Sequence, residues 1–326
     1  MNSEEKPSIS VAMATYNGEK YLRKQLDSIF SQTLLPLEVI ISDDGSSDNT
    51  LSILDEYQNK HSSIKVIKNK NPGINNNFIH AAQHCNASWI AFCDQDDIWQ
   101  PNKLELLFKA SKNKTLVYSR SKLIDNKEIA LTISAEKYLG FGKYQFGQIC
   151  PLYFFYSNCI SGHALIIKKE IIESALPVPE GMLYDQWFSL VAACNGEIGF
   201  SDQALTDHRI HESNSNNNED KRIQRKSKYR SPSKTKKFIR RRNNTLYLLQ
   251  RINKFNGNLR KSDENIILKY SHYIHKSKGE FINLRFLIFM IRFRNELFSR
   301  KPIKKAFKEV QGGTYFKLID FILQRK

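Results

Sequence analysis

At 326 residues, with 40% hydrophobic and 11% aromatic side chains, the chain can bury a full-sized core and is expected to fold; it is not a peptide-scale scaffold. Five cysteines, an odd set with no Cys-x-x-Cys pair, exclude a disulfide framework and a zinc knuckle and fit a reducing compartment. The net charge of +17 is uneven: residues 221–326 carry 30 Lys and Arg against 6 Asp and Glu, so the first 220 residues are net acidic.

The N-terminal "MNSEEKPSIS" is polar and acidic and lacks the basic-then-apolar order of a signal peptide. Beyond it, β-type runs alternate with helix-type segments. "SISVAMA" precedes the 3.6-period pattern "YLRKQLDSIF"; "LEVIISD" precedes a polar helix around Leu51 to Tyr57; "IKVIKN" precedes a segment from Asn75 to His84. "WIAFCD", a helix opened by Pro101, and "LVYS" complete the series. This alternation predicts parallel βαβ units with right-handed crossovers and a ligand at the carboxyl ends of the strands. The distinctive polar motifs stand at those ends: "TYN", "DDGSSDNT" and "DQDD".

From about Tyr138 to Gly199 the pattern loosens into what reads as α+β elaboration of one sheet, with "SNCISGHALIIKKEI" and "GMLYDQWFSLVAACNG". "HESNSNNNED", residues 211–220, reads as a loop or linker before the basic section. There "FINLRFLIFMIRFRNELF" is too short and too basic for the ~20 apolar residues of a membrane span, and reads either as an interfacial helix or as a buried one. The expected division is a catalytic domain over 1–220 and a basic, mainly helical region over 221–326.

Residues two apart on a strand share a face, so Asp94 and Asp96 are expected to point into one cleft while Gln95 turns away. Converging carboxylates without a nearby cysteine suit a hard divalent cation, Mn²⁺ or Mg²⁺, whose charge offsets their repulsion. The competing reading is that Asp96 and Asp97 only precede a helix and meet its N-terminal dipole. In "DDGSSDNT" the Gly, Ser and Asn residues suit a turn and an N-cap from Ser47 or Asp48. Asp43 and Asp44 together ask for more. A carboxylate there can accept the imide N–H of uracil or thymine, with Tyr16 stacking on the base.

"VAMATYNGEKYLRKQLDSIFSQTLLPLEVIISDDGSSDNT", followed about fifty residues later by "DQDDIWQPNKL", resembles the start of family 2 glycosyltransferases, and the similarity runs from about Ser8 to Ser213. The resemblance implies a GT-A fold, a Rossmann-like, mostly parallel sheet flanked by helices, and inverting transfer of a sugar from a nucleotide-diphosphate donor. It places Tyr16 and Asp44 on the base, Asp94 on the ribose, Asp96 on the metal and Asp185 of "LYDQWFSL" as general base. Tyr184 stands where such enzymes carry Glu or His before that Asp. "HRIHESNS" resembles a segment of rhamnosyltransferase-like members and makes His211, more than His208, a further metal ligand. Trp99 and Trp187 lie beside acidic motifs and are weak candidates for acceptor contact, as is Gly162, where a close backbone approach to the acceptor cleft is expected. Asp185 also suits the N-cap of "QWFSLVAAC".

The expected partners are a nucleotide-sugar donor (UDP- or dTDP-linked), a glycan or lipid-linked acceptor of bacterial surface polysaccharide synthesis, and an anionic membrane surface met by the basic region. That implies a cytoplasmic protein, peripheral at the inner face of the membrane; oligomeric state is not encoded legibly. A sugar nucleotidylyltransferase would carry a Gly-rich, Arg-containing phosphate loop after the first strand, which "TYNGEKYL" is not. A nucleic-acid or other polyanion binder led by the basic region lacks a recognition motif and leaves the acidic sites unexplained.

Overall fold

The computed structural model describes residues 7–141, 143–211, 243, 247, 259–276 and 284–297. The first strands are β1 (Ile9–Thr15), β2 (Glu38–Asp43), β3 (Ile64–Lys68) and β4 (Trp89–Asp94). With β5 (Ile98–Trp99), β6 (Lys114–Ile124), β7 (Leu165–Lys168) and β8 (Glu197–Arg209) they form one eight-stranded sheet in the order β3-β2-β1-β4-β7-β6-β8-β5. β3, β2, β1 and β4 run parallel, as the sequence alternation predicts.

Both faces of this parallel part are covered, so its strands are apolar on both sides. Odd-numbered residues Ile9, Val11 and Met13 pack with Val39, Ile41, Ala91 and Cys93 under α1 (Leu22–Phe30), α2 (Thr50–Lys60) and α4 (Lys103–Lys109). Leu22, Leu26 and Ile29 of α1 are fully buried, the i, i+4, i+7 stripe of a surface helix. Even-numbered Ala12, Ile40, Ile90 and Phe92 face the opposite layer, built from α3 (Ile74–Gln83), α6 (Leu152–Tyr156), α7 (Lys169–Ala175) and α8 (Tyr184–Asn195). A short α5 (Ala135–Leu139) is capped by the Ser134 hydroxyl, which accepts the Lys137 N–H.

The sheet departs from the simple βαβ series beyond β4. β7 lies antiparallel between β4 and β6, and β8 pairs with β6 in parallel over its length. β7 is only four residues long and merges into α7, so no period of two develops; β8 is interrupted by the exposed Asp202–Ala204 stretch. These are the irregular elements that carry one wall of the site.

The described part of the basic section is helical: α9 (Lys261–Lys276), α10 (Leu284–Arg292) and α11 (Arg294–Leu297). Ile266, Ile267, Tyr270, Ile274, Phe286 and Met290 join the same apolar layer as α6 and α8. The Tyr156 hydroxyl donates to that of Tyr270. Phe286, Phe289 and Met290 make α10 a buried helix on one side, while Leu284 and Ile288 stay exposed on the other. No helix among the described residues is long and apolar enough to cross a membrane. The loop expected after His211 and most of the basic region lie outside the described residues.

Candidate active site

The loops after β1 and β2 are tied together before any ligand arrives. Asn17 donates its N–H to the Ser46 hydroxyl (2.9 Å) and accepts the Ser47 N–H (2.8 Å); Gly18 N–H reaches the Thr50 hydroxyl (2.7 Å). Glu19 N–H donates to Asp48, and the Glu19 carboxylate accepts from both the backbone and the side chain of Asn49. Asp43 is buried and receives the Thr15 hydroxyl, the Gly45 and Ser46 N–H groups and the Ser46 hydroxyl. Gly45 supplies the positive φ (85°) that this turn requires. Asp43 is therefore the structural acid of the pair. Asp44 is half-buried and accepts from Asn69 Nδ2 (2.6 Å) and Gly73 N–H (2.9 Å); Tyr16, which follows the Thr15 that pairs with Asp43, is 57% exposed. The expected cap from Ser47 or Asp48 is not made by either as N-cap: Asn49 is the N-cap, without a side-chain bond, and Asp48 accepts the Thr50 N–H from one residue farther out.

The strand alternation stops at Asp94, the last residue of β4, so the following carboxylates leave in different directions. Gln95 does not turn idly away: its amide accepts the Tyr16 N–H (2.9 Å) and donates to the Tyr16 carbonyl (3.0 Å), joining the β4 loop to the β1 loop. Asp96 Oδ2 lies 2.8 Å from His211 Nε2. Asp97 is fully buried; its Oδ1 accepts from His208 Nδ1 (2.8 Å) and from Arg209 N–H (3.0 Å). β5 intervenes before α4, so neither Asp96 nor Asp97 sits at a helix N-terminus, and the dipole reading falls. One ligand atom from each of Asp94, Asp97, His163 and His208 falls within 4.8 Å of the others.

The opposite wall comes from the 3₁₀ turn Gly162–Ala164 and the start of α8. Asp185 is in the first turn of α8, whose N-cap is Leu183, so it is not the capping residue. Its Oδ2 accepts the Gly162 N–H (3.2 Å), its Oδ1 the Gln186 N–H (2.6 Å). Asn75 of α3 anchors this corner, donating to the Met182 carbonyl and accepting the Tyr184 N–H. A Cβ on Gly162 would lie 2.0 Å from the Tyr184 hydroxyl oxygen, so the close approach expected there is made by Tyr184.

Residues 10–171 match the sequence profile of glycosyl transferase family 2. They form a family 2 glycosyltransferase domain. Similar curated proteins are an uncharacterized glycosyltransferase of Rickettsia felis (28% identical; 63% of this chain, 34% of that one) and the dTDP-rhamnosyl transferase RfbG of Shigella flexneri (34%; 49% and 55%). The chain thus spans about a third of the first and about half of the second. The S. aureus TarS 1-349 crystal structure in complex with UDP-GlcNAc superposes with a TM-score of 0.56 at 20% identity, over 93% of this chain and 84% of that one. The shared fold is GT-A.

The candidate site is electrostatically stressed. Burial, then the nearby charges of Asp97 and Asp96, push the Asp94 carboxyl well above its usual range. Burial raises Asp185 to about 6 despite its N–H donors. His163 is held well below its usual value by burial and by neighbouring His208 and Lys103, so its approaches to Asp94 (3.7 Å) and Asp97 (3.9 Å) are not ion pairs. His208, stacked on it at 4.3 Å, goes the other way: burial lowers it, but the charge of Asp97, the hydrogen bond to it and the charges of Asp94 and Asp96 together outweigh burial and lift it to about 9. Buried Lys103 lies nearby, its Nζ on the His163 carbonyl (2.6 Å) and 3.7 Å over the Trp99 ring; burial lowers it to about 7, against the nearby charges that favour its ammonium form.

The donor set fits a divalent cation. Two cis ligands at ~2.1 Å from one ion stand about 3 Å apart, close to the Asp96–His211 separation of 2.8 Å. The buried Asp97 Oδ2 has no hydrogen-bond partner among the described residues, which leaves negative potential in the cleft. Trp99 and Trp187 require correction: both are fully buried, Trp187 donating its indole N–H to the Ala175 carbonyl (2.7 Å), so they are core aromatics rather than acceptor platforms. His163 and Lys103 carry no assignment from sequence, Asp97 carries only the helix-dipole reading, and His208 ranks below His211; the odd third Asp of "DQDD" is the one signal pointing to this group.

Proposed function

We propose that the chain is an inverting, metal-dependent glycosyltransferase that moves a sugar from a UDP- or dTDP-sugar to a hydroxyl of a glycan or lipid-linked acceptor in bacterial surface polysaccharide synthesis. The observation carrying this reading is the arrangement of carboxylates: Asp185, from a separate element, stands close enough to Asp94 for their charges to interact. Single displacement needs a base on the side of the sugar opposite the diphosphate. A carboxylate tuned to about 6 is ionised at neutral pH yet still basic enough to take the acceptor's proton as it attacks C1. The Gly162 and Gln186 N–H groups hold the two oxygens of the carboxylate in place.

On the donor side, Tyr16 stacks on the base, Asp44 accepts its imide N–H, and Asp94 hydrogen-bonds the ribose. Asp96 and His211 would hold Mn²⁺ or Mg²⁺, which supplies Lewis-acid stabilisation of the departing nucleoside diphosphate. The relatives' names support both donor types: one is a dTDP-rhamnosyl transferase, and TarS was crystallised with UDP-GlcNAc. Residues 1–220 act as the catalytic domain, and the basic region meets an anionic membrane surface at the cytoplasmic face.

The test is a donor screen: UDP- and dTDP-sugars with Mn²⁺, reading released nucleoside diphosphate. One donor class should turn over, and Asp96→Ala and Asp185→Ala should each abolish turnover. Absence of release from every donor, or undiminished release by either variant, overturns the assignment.

A further inference from the structure

α9 and α10 each bury one face in the apolar layer beneath them, and their outer faces meet in a groove of about 400 Å³. Its floor is aromatic, from Tyr273, Phe289 and Phe293; Leu268 and Ile288, each 61% exposed, form its apolar rim. Lys269, Arg285 and Arg292 line it as well, on the exposed helix faces, and no carboxylate does. None of these three cations is ion-paired among the described residues. Arg285, Ile288 and Arg292 recur at i, i+3 and i+7, so cation and apolar contacts share one stripe of α10.

A surface that combines unpaired cations with an unfilled apolar floor asks for an occupant with an anionic end and an apolar end. A polyanion without a tail leaves the floor wet, and an apolar peptide leaves three cations unmatched. Resting on the reading that the basic region meets a membrane, we propose that this groove seats the headgroup and upper acyl chain of an anionic phospholipid. No helix among the described residues is long and apolar enough to cross a bilayer; on this proposal both helices lie along its surface, with Leu268, Leu284 and Ile288 entering the interface.

The experiment is sedimentation of the 326-residue chain with phosphatidylcholine vesicles, with and without phosphatidylglycerol. Binding should require phosphatidylglycerol. Lys269→Gln, Arg285→Gln and Arg292→Gln together should weaken it by roughly 100-fold, since each basic residue near an anionic surface contributes about five-fold in partitioning. Leu268→Ser with Ile288→Ser should weaken it several-fold. All variants should keep the parent's melting temperature and its release of nucleoside diphosphate. Failure of the parent to bind overturns both groove and membrane reading while leaving the transferase assignment standing. Parent-like binding by the charge variant overturns the groove alone. Displacement by inorganic phosphate as effective as by phosphatidylglycerol means a free-phosphate site, and a lowered melting temperature in the charge variant means the chain fills the groove itself; either overturns the lipid assignment.

Discussion

The two walls of the cleft are built on opposite principles. On one side, the loops after β1 and β2 satisfy one another through short hydrogen bonds, most between residues about thirty apart, and Asp43 alone receives four. On the other side, Asp97 meets His208 and Asp96 meets His211 across more than a hundred residues, and burial leaves acids raised and one histidine held neutral. A wall that is satisfied at rest suits recognition of a rigid, largely neutral base. A wall that stores unfavourable charge suits chemistry, because groups with displaced proton affinities are the ones that can exchange protons or hold a cation near neutral pH.

The contrast breaks first at Asp185. Asp185→Asn should lower kcat by roughly 10³-fold, within the range for loss of a general base, with donor KM changed little. Burial disfavours the charged carboxylate and lifts it to about 6, so it is proton-free above that value. Activity of the parent should therefore fall on acidification below about pH 6, and the variant's residual activity should lack that limb. A pH profile that falls instead near the ordinary carboxylate value, or an unchanged limb in the variant, would place the base elsewhere.

His211→Ala comes next. With only Asp96 left of the pair, half-maximal activity should need roughly 10- to 100-fold more Mn²⁺, with kcat at saturating metal largely recovered. Titrating activity against metal separates this from a folding defect, which added metal cannot rescue. An unchanged metal requirement would point to the deeper group of Asp94, Asp97, His163 and His208 instead.

What could be read from the chain follows the same division. β1 to β4, the helices between them and the strand-end loops were legible because parallel strands buried on both faces write continuous apolar runs, and because loop partners lie close in sequence. The wall around Asp97 was not. β7 is too short to show a period; His163 lies in a segment with no charge pattern; and Lys103, a buried cation over Trp99, looks in sequence like any helical lysine. Trp99 and Trp187 misled for the converse reason: adjacency to an acidic motif along the chain says nothing about which side of the sheet an indole takes.

Asp43→Ala tests the satisfied wall. Four donors would lose a buried carboxylate, and the expected cost is about 3 kcal/mol of stability, less than the sum of separate bonds because the loop can relax toward water. Urea denaturation reads it directly. Asp44→Ala, with two partners and a half-buried position, should cost less stability and weaken the donor more. The reverse ordering would exchange the roles of the two acids.

The smallest effect is expected at Trp99. Phenylalanine there keeps an aromatic face 3.7 Å beneath the Lys103 ammonium and removes an indole N–H that has no hydrogen-bond partner among the described residues, which is a gain. It also loses part of a fully buried ring and weakens the cation–π contact, which is a cost. These oppose, and the net should be about 1 kcal/mol of destabilisation, seen as a melting temperature lower by a few degrees. Because the ring faces the helix layer of α1 and α4 and not the cleft, KM for the acceptor should stay within about two-fold. An acceptor KM raised ten-fold with no loss of stability would return Trp99 to the acceptor wall and undo the distinction between core and cleft on this side of the sheet.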